Sequence, residues 1–344
     1  MRNKSFAFLA AAFVIGASLV FTGGSEARSN ELAALLPQSD GVLVLDVRKL
    51  FDESLPQILS ANEPLLAKIN GEANKIKTRT GLDLRQFDVL ALGVRTKQVD
   101  EKTLNVEPVI LARGPYNGNS LAEAAKMASE GKSRTEEFAG RTVYIFSAKE
   151  IVDRNRPLGA GSQSVFEKMF DKVLNGLSDE VALAAYDSNT VALGSLGRVK
   201  ELLGNSPRIE NRLLEMLGRK QNAVASFGMV VPDGLSRYFE LEEDELGESL
   251  NSVREVNGTL DTLPGRTMLS IAARTVDAKQ AENLEIMLSG FRGLFAGILK
   301  QQKGEDKKVY GRMLENLSVD RNETELTVSL EIPQGDLDII VGKK

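Results

Sequence analysis

"VILARGPYNGNSLAEAAK", Val109 to Lys126, runs an apolar strand into a glycine-containing turn and on into a helix. Nucleotide-binding loops share that order of elements with plain strand-to-helix crossovers, so this stretch decides how the rest of the chain is assembled. A Walker-type loop needs a Lys after its last Gly to reach the phosphates and a hydroxyl for Mg²⁺, whereas Gly118 is followed here by Asn119 and Ser120. A second stretch, "MLSIAARTVDAKQAENLE" (268–285), makes the same passage without glycine. The crossover therefore needs no phosphate. It is longer in the first case, so Gly114, Pro115, Tyr116, Asn117, Gly118 and Asn119 form an inserted turn, expected to be exposed and available to a partner. Helix starts are expected at the capping patterns Ser120-x-x-Glu123 and Asp277-x-x-Gln280.

Working outward, period-2 apolar runs bounded by turn residues mark strands at Gly41 to Val47, Phe87 to Arg95, Glu107 to Arg113 and Arg141 to Phe146. A helical pattern from Phe51 to about Thr78 is broken by Pro56 and Pro64, and another covers Ser120 to Ala128. "EVALAAYDSNTVALGS" is expected to be a hairpin turning at Asp187 to Asn189, followed by a short helix from Arg198 to Leu203. The second half repeats this order: a strand from Asn222 to Val231, a helix from Leu235 to about Leu246, the strand pair "VREVNGTL" and "RTMLSIAAR", a long helix, and a hairpin turning at Asp320 to Glu323. In the long helix Leu284, Met287, Phe291, Leu294, Phe295 and Ile298 are spaced as one buried face. The expected fold is α+β: two similar β-α-β-β-α-β-β-α modules with mainly antiparallel sheets and helices packed on one face. Residues 28–205 and 206–344 are the modules.

Residues 1–27 have the features of a signal peptide. Arg2 and Lys4 precede the apolar run Phe6 to Phe21, and Ser25-x-Ala27 is a small-x-small cleavage pattern. The expected location is periplasmic or secreted, with anchoring by an uncleaved N-terminal segment as the alternative. The chain has no cysteine, so its stability must come from a hydrophobic core rather than disulfides. Histidine and tryptophan are also absent. A net charge of -5 argues against sequence-independent nucleic-acid binding.

Other motifs read as folding features. "GAGSQS" (159–164) follows a charged, proline-containing segment rather than a strand, so it reads as a linker and not a dinucleotide loop. "SEGK" (129–132) matches Ser-x-x-Lys, but Gly131 looks like a helix end, which is the wrong place for that nucleophile. The acidic run Glu240 to Glu248 lacks calcium-loop spacing, and no spacing selects a carboxylate pair such as Asp46 and Asp88. Glu282, Glu285 and Arg292 mark a polar side on the long helix, and Gly293 and Gly297 are spaced for close packing against its own sheet; contact with a membrane or lipid is the other reading. No cofactor, metal or catalytic residue is expected.

"LLPQSDGVLVLDVRKL" and "TGLDLRQFDVLALGV" together resemble a loose class of uncharacterised exported bacterial proteins built from duplicated α+β modules, best over Leu35 to about Leu203. The resemblance implies location more than activity and carries no catalytic residues. The leading expectation is a non-enzymatic binding or scaffold protein of the cell envelope, acting through protein-protein contact. Its partner would be an envelope protein or lipid, with peripheral membrane contact left open. A periplasmic carrier of lipid or a small apolar ligand, with its pocket between a sheet and the long helix, is the alternative. A hydrolase using Ser or carboxylates comes third.

Overall fold

The computed structural model describes residues 26–98, 104–129, 133–147, 180–218, 223–232, 251–300 and 304–342. The signal-peptide run, the helix expected at 235–246, the acidic run 240–248, "GAGSQS" and residues 130–132 of "SEGK" lie outside them.

Helix α1 (Glu26–Ala33) leads into β1 (Gly41–Asp46), followed by α2 (Val47–Lys49), a π-helical segment Leu50–Ser54, α3 (Leu55–Ile58) and α4 (Glu63–Thr80). Strands β2 (Val89–Gln98) and β3 (Leu104–Arg113) come next, then α5 (Gly118–Ser129), β4 (Arg134–Phe138), β5 (Arg141–Ser147), β6 (Glu180–Ala185) and β7 (Thr190–Ser195). Helices α6 (Leu196–Leu203) and α7 (Asn211–Leu217) precede β8 (Ala225–Val230), β9 (Val253–Leu263) and β10 (Arg266–Thr275). The chain continues through α8 (Ala278–Lys300), α9 (Glu305–Glu315), β11 (Ser318–Asn322), β12 (Glu325–Pro333) and α10 (Gln334–Val341). The prolines act as the sequence suggests. Pro64 sits in the first turn of α4, where Asn62 caps by accepting from the Leu65 amide, and Gly81 ends the helix at φ 72°.

The fold is α+β. All twelve strands among the described residues belong to one sheet, in the order β11-β12-β10-β9-β8-β1-β2-β3-β7-β6-β5-β4, and every pairing in it is antiparallel. β1 is central, with Leu43 opposite Leu92 of β2 and Phe227 of β8. Outward from this seam, one wing runs β1-β2-β3-β7-β6 and the other β8-β9-β10-β12-β11, with β5 and β4 extending the first. The joint expected near residue 205 falls between α6 and α7, and the β1–β8 pairing carries the sheet across it.

Helices cover both faces of the sheet, which corrects the expectation of helices on one face. Val42 and Val44 point into a core with Val89, Ala91, Val109 and Leu111, closed by Leu32 and Leu36 near α1, Val199 and Leu202 of α6, and Leu213 and Met216 of α7. Leu43 and Leu45 point the other way, against Leu50, Leu55 and Leu59. A strand apolar at successive positions must be covered on both sides, and "GVLVLDV" is such a strand.

One buried charge ties the first wing together. Arg198 of α6 is 1% exposed, pairs with Glu201 at 2.5 Å and donates to Ser39 Oγ at 2.8 Å. Glu201 in turn accepts from Arg95 of β2 at 2.9 and 2.7 Å. Burial, with the nearby Arg95 charge, pulls the Arg198 guanidinium pKa down, and Glu201 acts against that.

Candidate functional site

The inserted turn is built into the fold at two of its six positions. Gly114 and Tyr116 are buried, while Pro115, Asn117, Gly118 and Asn119 are exposed. The Tyr116 ring lies 4.9 Å from that of Phe87, and its hydroxyl accepts from the Asp83 amide at 2.6 Å and donates to the Asp83 carbonyl at 3.0 Å. A Cβ on Gly114 would meet Phe87 Cδ1 at 2.8 Å, so glycine is needed there for close approach. Asn117 caps α5 by accepting from the amides of Asn119 and Ser120 at 3.0 and 3.1 Å. The cap thus falls three residues earlier than the Ser120-x-x-Glu123 pattern suggested. The second cap stands where it was expected, with Asp277 accepting from the Gln280 amide at 2.9 Å.

The carboxylates Asp46 and Asp88 are each engaged locally. Asp46 accepts from the Lys49 amide at 3.0 Å, and burial pushes its pKa up to about 6, with the Asp88 charge adding to the rise and Lys49 opposing it. Asp88 pairs with Arg48 at 2.5 Å. Among the described residues no group of three or more acidic, His or Cys side chains could hold a metal ion.

Helix α8 carries the feature with no role in the fold. Its inner side is set by Ala281, Leu284 and Ala296, which are 0%, 5% and 8% exposed. Leu284, with the half-buried Met287 and Leu288, packs on Val231, Val253, Leu326 and Val319. These residues pack between sheet and helix, where the carrier alternative places its pocket. The expected single buried face is corrected: Leu284 and Met287 turn inward, but Phe291, Leu294, Phe295 and Ile298 are 40%, 60%, 42% and 44% exposed, and Ile286 is 64% exposed. From Ile286 to Leu299 Arg292 is the sole charged residue. It is half-buried and donates to the Leu317 carbonyl at 2.8 Å. Glu285, the other flanking charge, pairs with Arg321 of β11 at 2.7 Å. The polar residues thus serve the flank nearest the sheet, and the outer surface of the distal half is apolar.

Gly290, Gly293 and Gly297 are also exposed, and a Cβ at any of them would meet nothing within 4 Å. They do not seat the helix against its own sheet, which corrects the packing role expected for Gly293 and Gly297. Side chains of this size carry roughly 150–250 Å² each, so the adjoining Phe291, Leu294, Phe295 and Ile298 leave roughly 280–470 Å² of apolar surface, comparable with the largest patch on a typical monomer. Isolated exposed hydrophobics need no explanation, but a contiguous, charge-free patch marks a contact surface. A separate shallow depression of about 370 Å³ at the N-terminal end of α8 is lined by Asn251, Ser252, Val276, Asp277 and Gln280. Periodicity put Phe291, Leu294, Phe295 and Ile298 on one face with Leu284 and Met287, but spacing does not record how far along the helix that face is covered.

No family model matches the chain, and no curated protein matches it. Among solved structures it is similar to crystal form III of TP0453, at 10% identity and a TM-score of 0.42 over 91% of this chain and 98% of that one. Crystal form I gives 8% and 0.40 over 90% and 96%, and form IV gives 11% and 0.42 over 93% and 100%. Similarity at this level carries no functional argument.

Proposed function

We propose that this is an exported, non-enzymatic binding protein of the cell envelope that acts by surface contact through the outer side of α8. The observation that carries the reading is the run of exposed apolar side chains at Phe291, Leu294, Phe295 and Ile298, three and four residues apart, on a helix whose first half is already anchored through Ala281 and Leu284. Export is supported by Arg2 and Lys4 ahead of the apolar run Phe6 to Phe21, and by the small-x-small pattern ending at Ala27. Likeness to exported proteins of duplicated α+β modules is part of the same proposal, and the common strand order of the two wings is in keeping with it.

The test is a photo-crosslinking amino acid placed at position 294 and, as a control, at Ser188, an exposed hairpin-tip residue. In the native host, position 294 is expected to give a defined envelope adduct, protein or lipid, that position 188 does not give. Equal background at both positions would remove α8 as the contact surface.

A further inference from the structure

We infer that the outer side of α8 docks on a lipid surface, with the helix lying in the plane of the membrane interface; this rests on the contact reading of α8 proposed above. Three features of the patch select lipid over a protein partner or a second copy.

The first is area. An exposed apolar surface of roughly 280–470 Å² is well short of the roughly 800 Å² per partner that a stable protein interface buries, so two copies meeting through this patch alone do not make a stable dimer. A lipid surface has no minimum area and adapts its shape to the helix.

The second is the chemistry of the contact. Stable protein interfaces carry direct hydrogen bonds that fix register, about one per 100–200 Å². Among the described side chains of the distal half of α8 the exposed ones offer none: Phe291, Leu294, Phe295 and Ile298 are hydrocarbon, and Arg292 donates to the Leu317 carbonyl. An apolar face without register-setting groups suits a fluid hydrocarbon boundary.

The third is continuity. Phe291, Leu294, Phe295 and Ile298 stand three and four residues apart, so their side chains adjoin along one side of the helix. An interfacial helix sinks its apolar face about 5–10 Å into the headgroup and acyl boundary, a depth that a row of such side chains can reach. No helix among the described residues is long and apolar enough to cross a membrane, so the contact is with the surface.

Because the chain has no cysteine, a single Leu294→Cys variant can be labelled with an environment-sensitive fluorophore, with Ser188→Cys as its partner. Each labelled full-length chain is mixed with vesicles of phosphatidylcholine alone and of a phosphatidylcholine–phosphatidylglycerol mixture. The expected result is a blue shift and a several-fold rise in emission at position 294, on both vesicle types and at high salt, with position 188 unchanged. The label reports its own surroundings, so binding through the apolar N-terminal run cannot imitate it. A second variant, Phe291→Asp with Ile298→Asp and the label still at 294, is expected to lose at least about tenfold in apparent partitioning. Vesicle binding with no change at position 294 would overturn the inference. So would a response confined to anionic vesicles and abolished by salt. A shift at 294 that needs no vesicles and grows with protein concentration would assign the face to a second copy; lipid docking would then fail while α8 remained the contact surface. No change at 294 under any condition, together with failed crosslinking at that position, would remove both.

Discussion

Helices α5 and α8 occupy the same place in the two wings, each following the third strand outward from the seam, yet they differ in how much apolar side chain they leave exposed. α5 is twelve residues long, buries Leu121, Ala124 and Ala125, and exposes Asn119 and Glu123 beside one large apolar side chain, Met127, among its described residues. α8 is 23 residues long, buries Ala281, Leu284 and Ala296, and turns Ile286, Leu294 and Ile298 to solvent. The wing needs only the inner stripe in both cases. The comparison teaches that the apolar outer side of α8 is extra to folding, and surface that is extra to folding is where contact with something else is to be sought.

The largest effects should come from the two inner stripes. Leu121→Ala and Leu284→Ala are each expected to cost about 2–5 kcal/mol of unfolding free energy, measured by denaturant titration, because each empties a buried Leu site. Leu294→Asp is expected to stay within about 0.5 kcal/mol of the parent. A loss at Leu294 as large as that at Leu284 would break the comparison, since the outer side would then belong to the core.

A smaller effect of opposite sign is expected at the glycines. Gly293 lies in the interior of α8 with open space where its Cβ would be, so Gly293→Ala should raise stability by up to about 1 kcal/mol. A loss on substitution would mean that something packs closely over that position in the isolated protein.

The smallest effect concerns the seam between the wings. With its pKa raised from 3.8 to about 6, Asp46 retains a proton in the folded chain that the unfolded chain releases between those values. Its contribution therefore favours the fold below about pH 4 and is lost as the pH rises through 6. Asp46→Asn removes the charge and leaves an oxygen able to accept from the Lys49 amide. It should raise the melting temperature more at pH 8 than at pH 4. The reverse order would show that Lys49 outweighs burial at this carboxylate.

Much of this fold was legible in local pattern. Strand β1 follows from "GVLVLDV", the break between α3 and α4 ends at the Asn62 cap just before Pro64, and the Asp277 cap stands where Asp277-x-x-Gln280 put it. These features depend on neighbours a few residues apart, and local sequence records such neighbours. The candidate site was half legible. The apolar character of α8 was plain, and Leu284 is buried as its spacing predicts, but Phe291, Leu294, Phe295 and Ile298 on the same predicted face are left exposed. Asn117 displaced Ser120 as the α5 cap for a related reason: Tyr116 is held by the Asp83 backbone 33 residues away, and that anchor sets where the helix begins.

By itself, then, the sequence determined the α+β class, the position of strands such as β1 and β3, and the absence of histidine and cysteine side chains. Tertiary structure alone decided that β1 and β8 meet to make one sheet, that helices cover both of its faces, that Arg198 is buried against Glu201 and Ser39, and that the outer side of α8 lies open. The physical reason is the range of the interactions. Alternation and capping act within a few residues, whereas strand partnership and the choice of which apolar face is covered depend on surfaces brought together from distant parts of the chain.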